Sequence, residues 1–259
     1  MPVPISIIET RGVRKCYGET VAVEGLDLAV HAGEILGFLG PNGAGKTTTI
    51  KMLVGLVFPA SGTALIDGHD VHRDPIRAKR RLGYVPDHPS LPDRLTAHDL
   101  LEMVAGLQRL EPAAAAARAA HLLALFGLDA WADRLIGGYS LGMRQKIALA
   151  AALMHEPAAL VLDEPLVGLD PPAVRLIKDL LRSLARRGAA ILISTHLLEV
   201  AERLCDRVVI LDRGRLVAAG TFEALRAGHA DESLEDVFLR LTGETERPDS
   251  PAAASAGVA

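Results

Sequence analysis

The segment Gly40-Pro41-Asn42-Gly43-Ala44-Gly45-Lys46-Thr47 constrains this chain more than any other. It carries the spacing G-x-x-x-x-G-K-[ST] between a short apolar run at 35–39 and a helix-forming stretch at 46–56. A strand, a glycine-rich loop and a helix in that order turn several backbone N–H groups, and the positive end of the helix dipole, onto one polyphosphate. Lys46 is then placed to reach the β and γ phosphates. The Thr47 hydroxyl is placed for Mg2+, a hard cation that takes oxygen ligands. Thr48, next in the same turn, is grouped with them as nucleotide-binding.

A second phosphate-chemistry signal is Leu160-Val161-Leu162-Asp163-Glu164, an apolar strand pattern that ends in two carboxylates. In an α/β layer such a strand delivers its last residues to the carboxyl edge of the sheet, where ligands bind. Asp163 there helps hold the Mg2+ shell, and Glu164 is the candidate general base for an attacking water. Taken alone, the pentapeptide reads as an ordinary acidic turn; the phosphate loop gives it meaning.

Around these motifs the pattern predicts an α/β fold. Alternating residues at 21–30 and the run at 5–14 read as antiparallel strands near the N-terminus. Helical signals fill about 87–157, including an Ala-rich run behind Pro112. Strands return at 160–162, 189–194 and 208–211, separated by helical stretches at 172–187 and 197–204, which implies a parallel layer. Asp212-Arg213-Gly214-Arg215 reads as a hairpin turn, followed by short helices to about 243. One domain is expected over 5–243, with a helical subdomain at about 87–157, a hairpin and helices at about 207–243, and a disordered Pro/Ser/Ala/Glu tail at 244–259.

Composition removes several alternatives. With 28 basic and 32 acidic residues the formal charge is −4, so the phosphate-backbone attraction of a nucleic-acid binder is missing, and no nucleic-acid partner is expected. Two cysteines, Cys16 and Cys205, suit a reducing cytoplasm better than a disulfide framework. The apolar run 147–154 is too short to cross a bilayer, and 113–126 is interrupted by Arg118 and His121. The start carries no charged-then-apolar export pattern. Lys79-Arg80-Arg81 reads as a solvated face.

Between the two nucleotide motifs lies Tyr139-Ser140-Leu141-Gly142-Met143-Arg144-Gln145, which resembles the signature segment of the ATP-binding cassette family. Gly168-Leu169-Asp170-Pro171 resembles that family's D-loop, and Ser194-Thr195-His196 its switch segment. The resemblance spans about 7–243. It implies a P-loop NTPase core, a mixed sheet with an N-terminal antiparallel part, carrying an inserted helical signature subdomain. ATP and Mg2+ are the implied ligands.

By the same resemblance Tyr17 stacks on adenine, Ser140 and Gly142 contact the γ-phosphate held by a second copy, Asp170 of the D-loop is grouped with the nucleotide-binding residues, and His196 orients γ-phosphate and water. Two ATP molecules are thus sandwiched in a head-to-tail dimer, either a homodimer or a paired ATPase. Read singly, Tyr17 is as well explained as a packing aromatic, His196 as a structural histidine and Ser140 as a helix cap. The signature departs from the common pattern at Leu141 and Met143, and Asp87 stands where many members have Gln. Asp87 keeps an oxygen for Mg2+ or its water, on a shorter, charged side chain.

The signature and the tail Leu234-Glu235-Asp236-Val237-Phe238-Leu239-Arg240-Leu241-Thr242-Gly243 resemble ATPases of the exporter branch that serves six-span permeases. The implied function is an ATP-hydrolysing subunit on the cytoplasmic face of the cell membrane. It attaches through a separate multi-span permease docked near 87–95. The rival reading is a soluble cassette ATPase acting on ribosomes or DNA, but one phosphate loop and the lack of sustained heptads speak against it.

Overall fold

A computed structural model describes residues 5–226 and 233–243; the tail expected to be disordered at 244–259 lies outside them. Two sheets organise the chain. Strands β1 (Ser6–Tyr17), β2 (Thr20–His31), β4 (Ser61–Ile66) and β5 (His69–Asp70) form an antiparallel sheet in the order β2-β1-β4-β5. The second sheet has the order β10-β9-β3-β8-β7-β6, built from β3 (Ile35–Leu39), β6 (Leu82–Val85), β7 (Ala159–Asp163), β8 (Ala190–Ser194), β9 (Arg207–Asp212) and β10 (Arg215–Gly220). Its strands are parallel except for the β9–β10 hairpin.

The central strands are apolar on both faces because both faces are covered. In β8, Ile191 and Ile193 enter the core beneath the helices, while Ala190 and Leu192 enter the core shared with the antiparallel sheet. Leu160 and Leu162 of β7 divide from Ala159 and Val161 in the same way. Fully buried side chains such as Leu36 and Phe38 contribute about 1.5–3 kcal/mol each relative to exposure.

The helices are α1 (Lys46–Leu53), α2 (Pro75–Arg80), α3 (Ala97–Gln108), α4 (Pro112–Phe126), α5 (Leu141–Leu153), α6 (Pro171–Arg186), α7 (Leu198–Leu204), α8 (Phe222–Leu225) and α9 (Leu234–Thr242). Four elements were not expected from the sequence: β4, β5, α2 and the short edge strand β6. The helical stretch also starts later than 87. Residues 87–96 are non-helical because Pro89 and Pro92 remove donors and restrict the residues before them. The helix begins only where Thr96 and Asp99 form a capping box. Ser140 caps α5 and Asp170 caps α6.

Candidate functional site

The phosphate loop follows β3, the central strand, and is gripped from two sides. A Cβ on Gly45 would lie 2.5 Å from the Ala22 carbonyl oxygen of β2, and one on Gly40 would lie 2.4 Å from the Leu211 oxygen of β9. Both glycines also hold positive φ, so other residues would be strained there as well as crowded. The β9–β10 turn closes the grip, with the Gly214 N–H donating to the Ala44 oxygen at 2.9 Å. Lys46 donates from Nζ to the Gly40 and Pro41 oxygens at 2.5 and 3.1 Å. Burial pushes its ammonium pKa down, while Glu164 and Asp163 pull the other way, which places the lysine close to both carboxylates. Thr47 is exposed and Thr48 half-buried in the first turn of α1.

Strand β8 lies between β3 and β7 in the sheet, so Asp163 does not emerge directly beside the phosphate loop. The intervening strand supplies Ser194, whose hydroxyl donates to Asp163 Oδ1. Asp163 is 3% exposed, and its Oδ2 is buried with no hydrogen-bond partner among the described residues. Glu164 follows in the left-handed region at φ 47, with its N–H donating to the Ser194 oxygen at 3.1 Å. That conformation costs about 1–3 kcal/mol and persists where the surroundings fix it. It turns the Glu164 side chain toward His196, whose Nδ1 lies 2.9 Å from Oε1, while Oε2 is buried and unpartnered. Orphaned carboxylate oxygens of this kind suit a hard cation and a proton acceptor.

A cleft of about 570 Å³ joins Gly40, Pro41, Asn42, Asp87, His88, Glu164, Thr195 and His196. Asp87 accepts from the His88 N–H at 2.8 Å, and its charge helps raise both Asp163 and Tyr84. Burial comes first in pushing Tyr84 up to about 12. Among the sequence candidates, Gly43, Ala44, Gly45, Lys46, Thr47, Thr48 and Asp163 are not among the residues lining this cleft, and neither are Tyr17, Ser140, Gly142 and Asp170. Tyr17 is half-exposed at the end of β1, with Lys15 Nζ 5.2 Å from its ring centroid. Ser140, exposed, accepts the Met143 N–H at 3.3 Å. Gly142 faces the Gly168-Leu169 turn, where a Cβ would sit 3.5 Å from the Gly168 oxygen. Asp170 accepts the Ala173 N–H at 3.1 Å. Two residues were missed at the sequence level: Ser194 as the partner of Asp163, and buried Gln145, whose Nε2 donates to the Pro165 oxygen at 3.2 Å.

Burial raises the Asp163 carboxyl above the ordinary range, the Ser194 bond and Lys46 opposing and Asp87 and Glu164 adding. A carboxyl raised by folding stabilises most below its unfolded pKa, and that contribution is lost as pH rises through the folded value. At neutral pH in a chelating buffer, where the unfolded carboxyl is ionised, the burial of Asp163 therefore opposes folding. Asp163→Asn, which keeps an acceptor for Ser194, should raise Tm by a few degrees in that buffer. Thermal melts of both proteins check this, and a lowered Tm contradicts it.

The family described as "ABC transporter" matches residues 23–167. The daunorubicin/doxorubicin resistance ATP-binding protein DrrA of Streptomyces peucetius is 43% identical over 238 residues, which is 92% of this chain and 71% of that protein. The Nod factor export ATP-binding protein I of Burkholderia orbicola (strain AU 1054) is 44% identical over 221 residues, covering 85% and 73%. A solved ATP-binding subunit of an ABC transporter superposes with TM-score 0.87 at 34% identity, covering 92% of this chain and all (100%) of the other.

Proposed function

Because this chain belongs to the ATP-binding subunits of ABC transporters, we propose that it is the ATP-hydrolysing subunit of an exporter, driving a separate membrane permease through ATP-dependent closure of two copies. One observation carries the chemistry: the phosphate loop, Asp87, Glu164 and His196 meet in a single cleft at the carboxyl ends of the parallel strands.

Lys46 exchanges its two loop carbonyls for the β and γ phosphates, and the loop N–H groups bind the same oxygens. Thr47 and Asp163 would hold Mg2+, with Asp87 reaching the cation or one of its waters. When bound, the metal neutralises charge on the β and γ oxygens. Glu164 takes the proton of the attacking water on its carboxylate. With Nδ1–H donating to Oε1, His196 holds that carboxylate in place, and in its imidazolium form the Nε2–H donates to the γ-phosphate. Tyr17 supplies a face for adenine.

Ser140 and Gly142 serve the ATP of the facing copy. Their support is an exposed, capped helix N-terminus that lies outside the chain's own cleft and presents free N–H groups to an anion. Asp170, capping α6 beside the turn that packs on Gly142, belongs to the same surface.

Among the described residues no helix is long and apolar enough to cross a membrane, so attachment is assigned to the permease. Expressed alone, the protein should stay in the soluble fraction, and co-expressed with its permease it should sediment with membranes. Tight binding to protein-free lipid vesicles would contradict this.

A further inference from the structure

The non-helical run 87–96 starts in the cleft wall at Asp87 and His88 and ends at the cap of α3. Its last residues lie antiparallel against the strip that leads into Ser140, with Thr96 bridged to Leu135. The Ile136 N–H donates to the Leu95 oxygen at 2.9 Å, and the Gly137 N–H to the Asp93 oxygen at 3.0 Å. The strip can come this close because position 137 is glycine: a Cβ there would lie 3.1 Å from the Asp93 oxygen and 3.3 Å from the Asp93 Cβ. These contacts are backbone ones and end before α5. One side-chain contact continues them into the helix, from Arg144 to Asp93 Oδ1 at 2.5 Å.

We propose that Arg144 is a positioning residue for ATP hydrolysis: by holding Asp93, it fixes the first turn of α5, with Ser140 and Gly142, relative to the Asp87 wall of the same copy's cleft. The inference rests on the shared-site reading above. Arg144 lies one turn past Ser140, and its own N–H donates to the Ser140 oxygen at 2.9 Å, so a pull on its guanidinium acts on the cap itself. The side chain of Asp93 is 65% exposed and that of Arg144 23%, and ion pairs this open add little to stability. Its effect is therefore on alignment. Each copy's α5 faces the other copy's ATP, so the Asp93–Arg144 link lets the occupied cleft of one copy set the donors offered to the other.

The test compares Arg144→Ala, Asp93→Ala, Arg144→Lys and the charge swap Asp93→Arg/Arg144→Asp in the full chain, by equilibrium ATP binding, steady-state hydrolysis and thermal melting. Each alanine variant should lose about 10-fold in kcat, within the usual range of coupling between sites, with ATP Kd changed by less than about twofold. Arg144→Lys should keep most of the activity, and the swap should restore kcat to within about threefold of wild type. A swap no better than the single variants, unchanged kcat in the alanine variants, or weakened ATP binding in them would each overturn the proposal. If the wild-type chain failed to hydrolyse ATP, the proposed function would fail instead.

Discussion

Glu164→Gln lowers ATP turnover by about 10²–10⁴-fold and leaves ATP bound. The substitution preserves shape: the Glu164 N–H still donates to the Ser194 oxygen, and a glutamine oxygen still accepts from His196 Nδ1. What disappears is the basic carboxylate, so the attacking water keeps its proton. Lys46, Thr47 and Asp163 are untouched, so phosphate and metal contacts persist and binding separates from hydrolysis. Stopped turnover with an unchanged ATP dissociation constant is the expected pair of measurements. Near-normal turnover in the permease-bound complex would remove Glu164 from its role.

Lys46→Ala produces the opposite pattern, loss of nucleotide affinity itself. The Lys46 ammonium is partly desolvated and sits within reach of two loop carbonyls and close to Asp163 and Glu164. Its removal leaves the cleft with carboxylates and no side-chain cation on the phosphates. The loss of a charge-assisted contact of roughly 1.5–3 kcal/mol corresponds to about 10–100-fold weaker ATP binding. Calorimetric titration with ATP and Mg2+ checks the figure, and unaltered affinity would show that the loop binds something other than a polyphosphate.

Local motifs made the candidate site readable, and non-local pairing hid its supports. The phosphate loop and Asp163-Glu164 are contiguous, so strand, turn and charge all show in a few residues. Ser194 was legible only as part of a switch segment. That it would bond to Asp163 depends on the β7–β8 register, which pairs residues 31 positions apart. The same limit hid the position of β8 between β3 and β7, since strand order is set by crossovers rather than by any one segment. Strand β6 has only four residues, runs straight into Pro86 and sits at a sheet edge, so its pattern is too short to read. Pro89 and Pro92 carry the information that 87–96 is not helical. Arg144 belongs to the signature segment, but its partner Asp93 lies 51 positions earlier, a pairing that no local pattern encodes.

Two copies sharing each ATP is the claim on which export by dimer closure depends, and mixed lesions test it most directly. In a Glu164→Gln background, which halts turnover and retains nucleotide, Ser140→Arg and Lys46→Ala chains each fail to hold ATP in the closed dimer. When they are mixed in equal amounts, half of the pairs are hybrid, and each hybrid has one site with Lys46 from one copy and Ser140 from the other. Retention should recover to about a quarter of that of the unlesioned pair, the share expected for random pairing across an isologous interface. Retention no higher than in either lesion alone would show that Ser140 does not act across to the facing copy, and the shared-site account would be wrong.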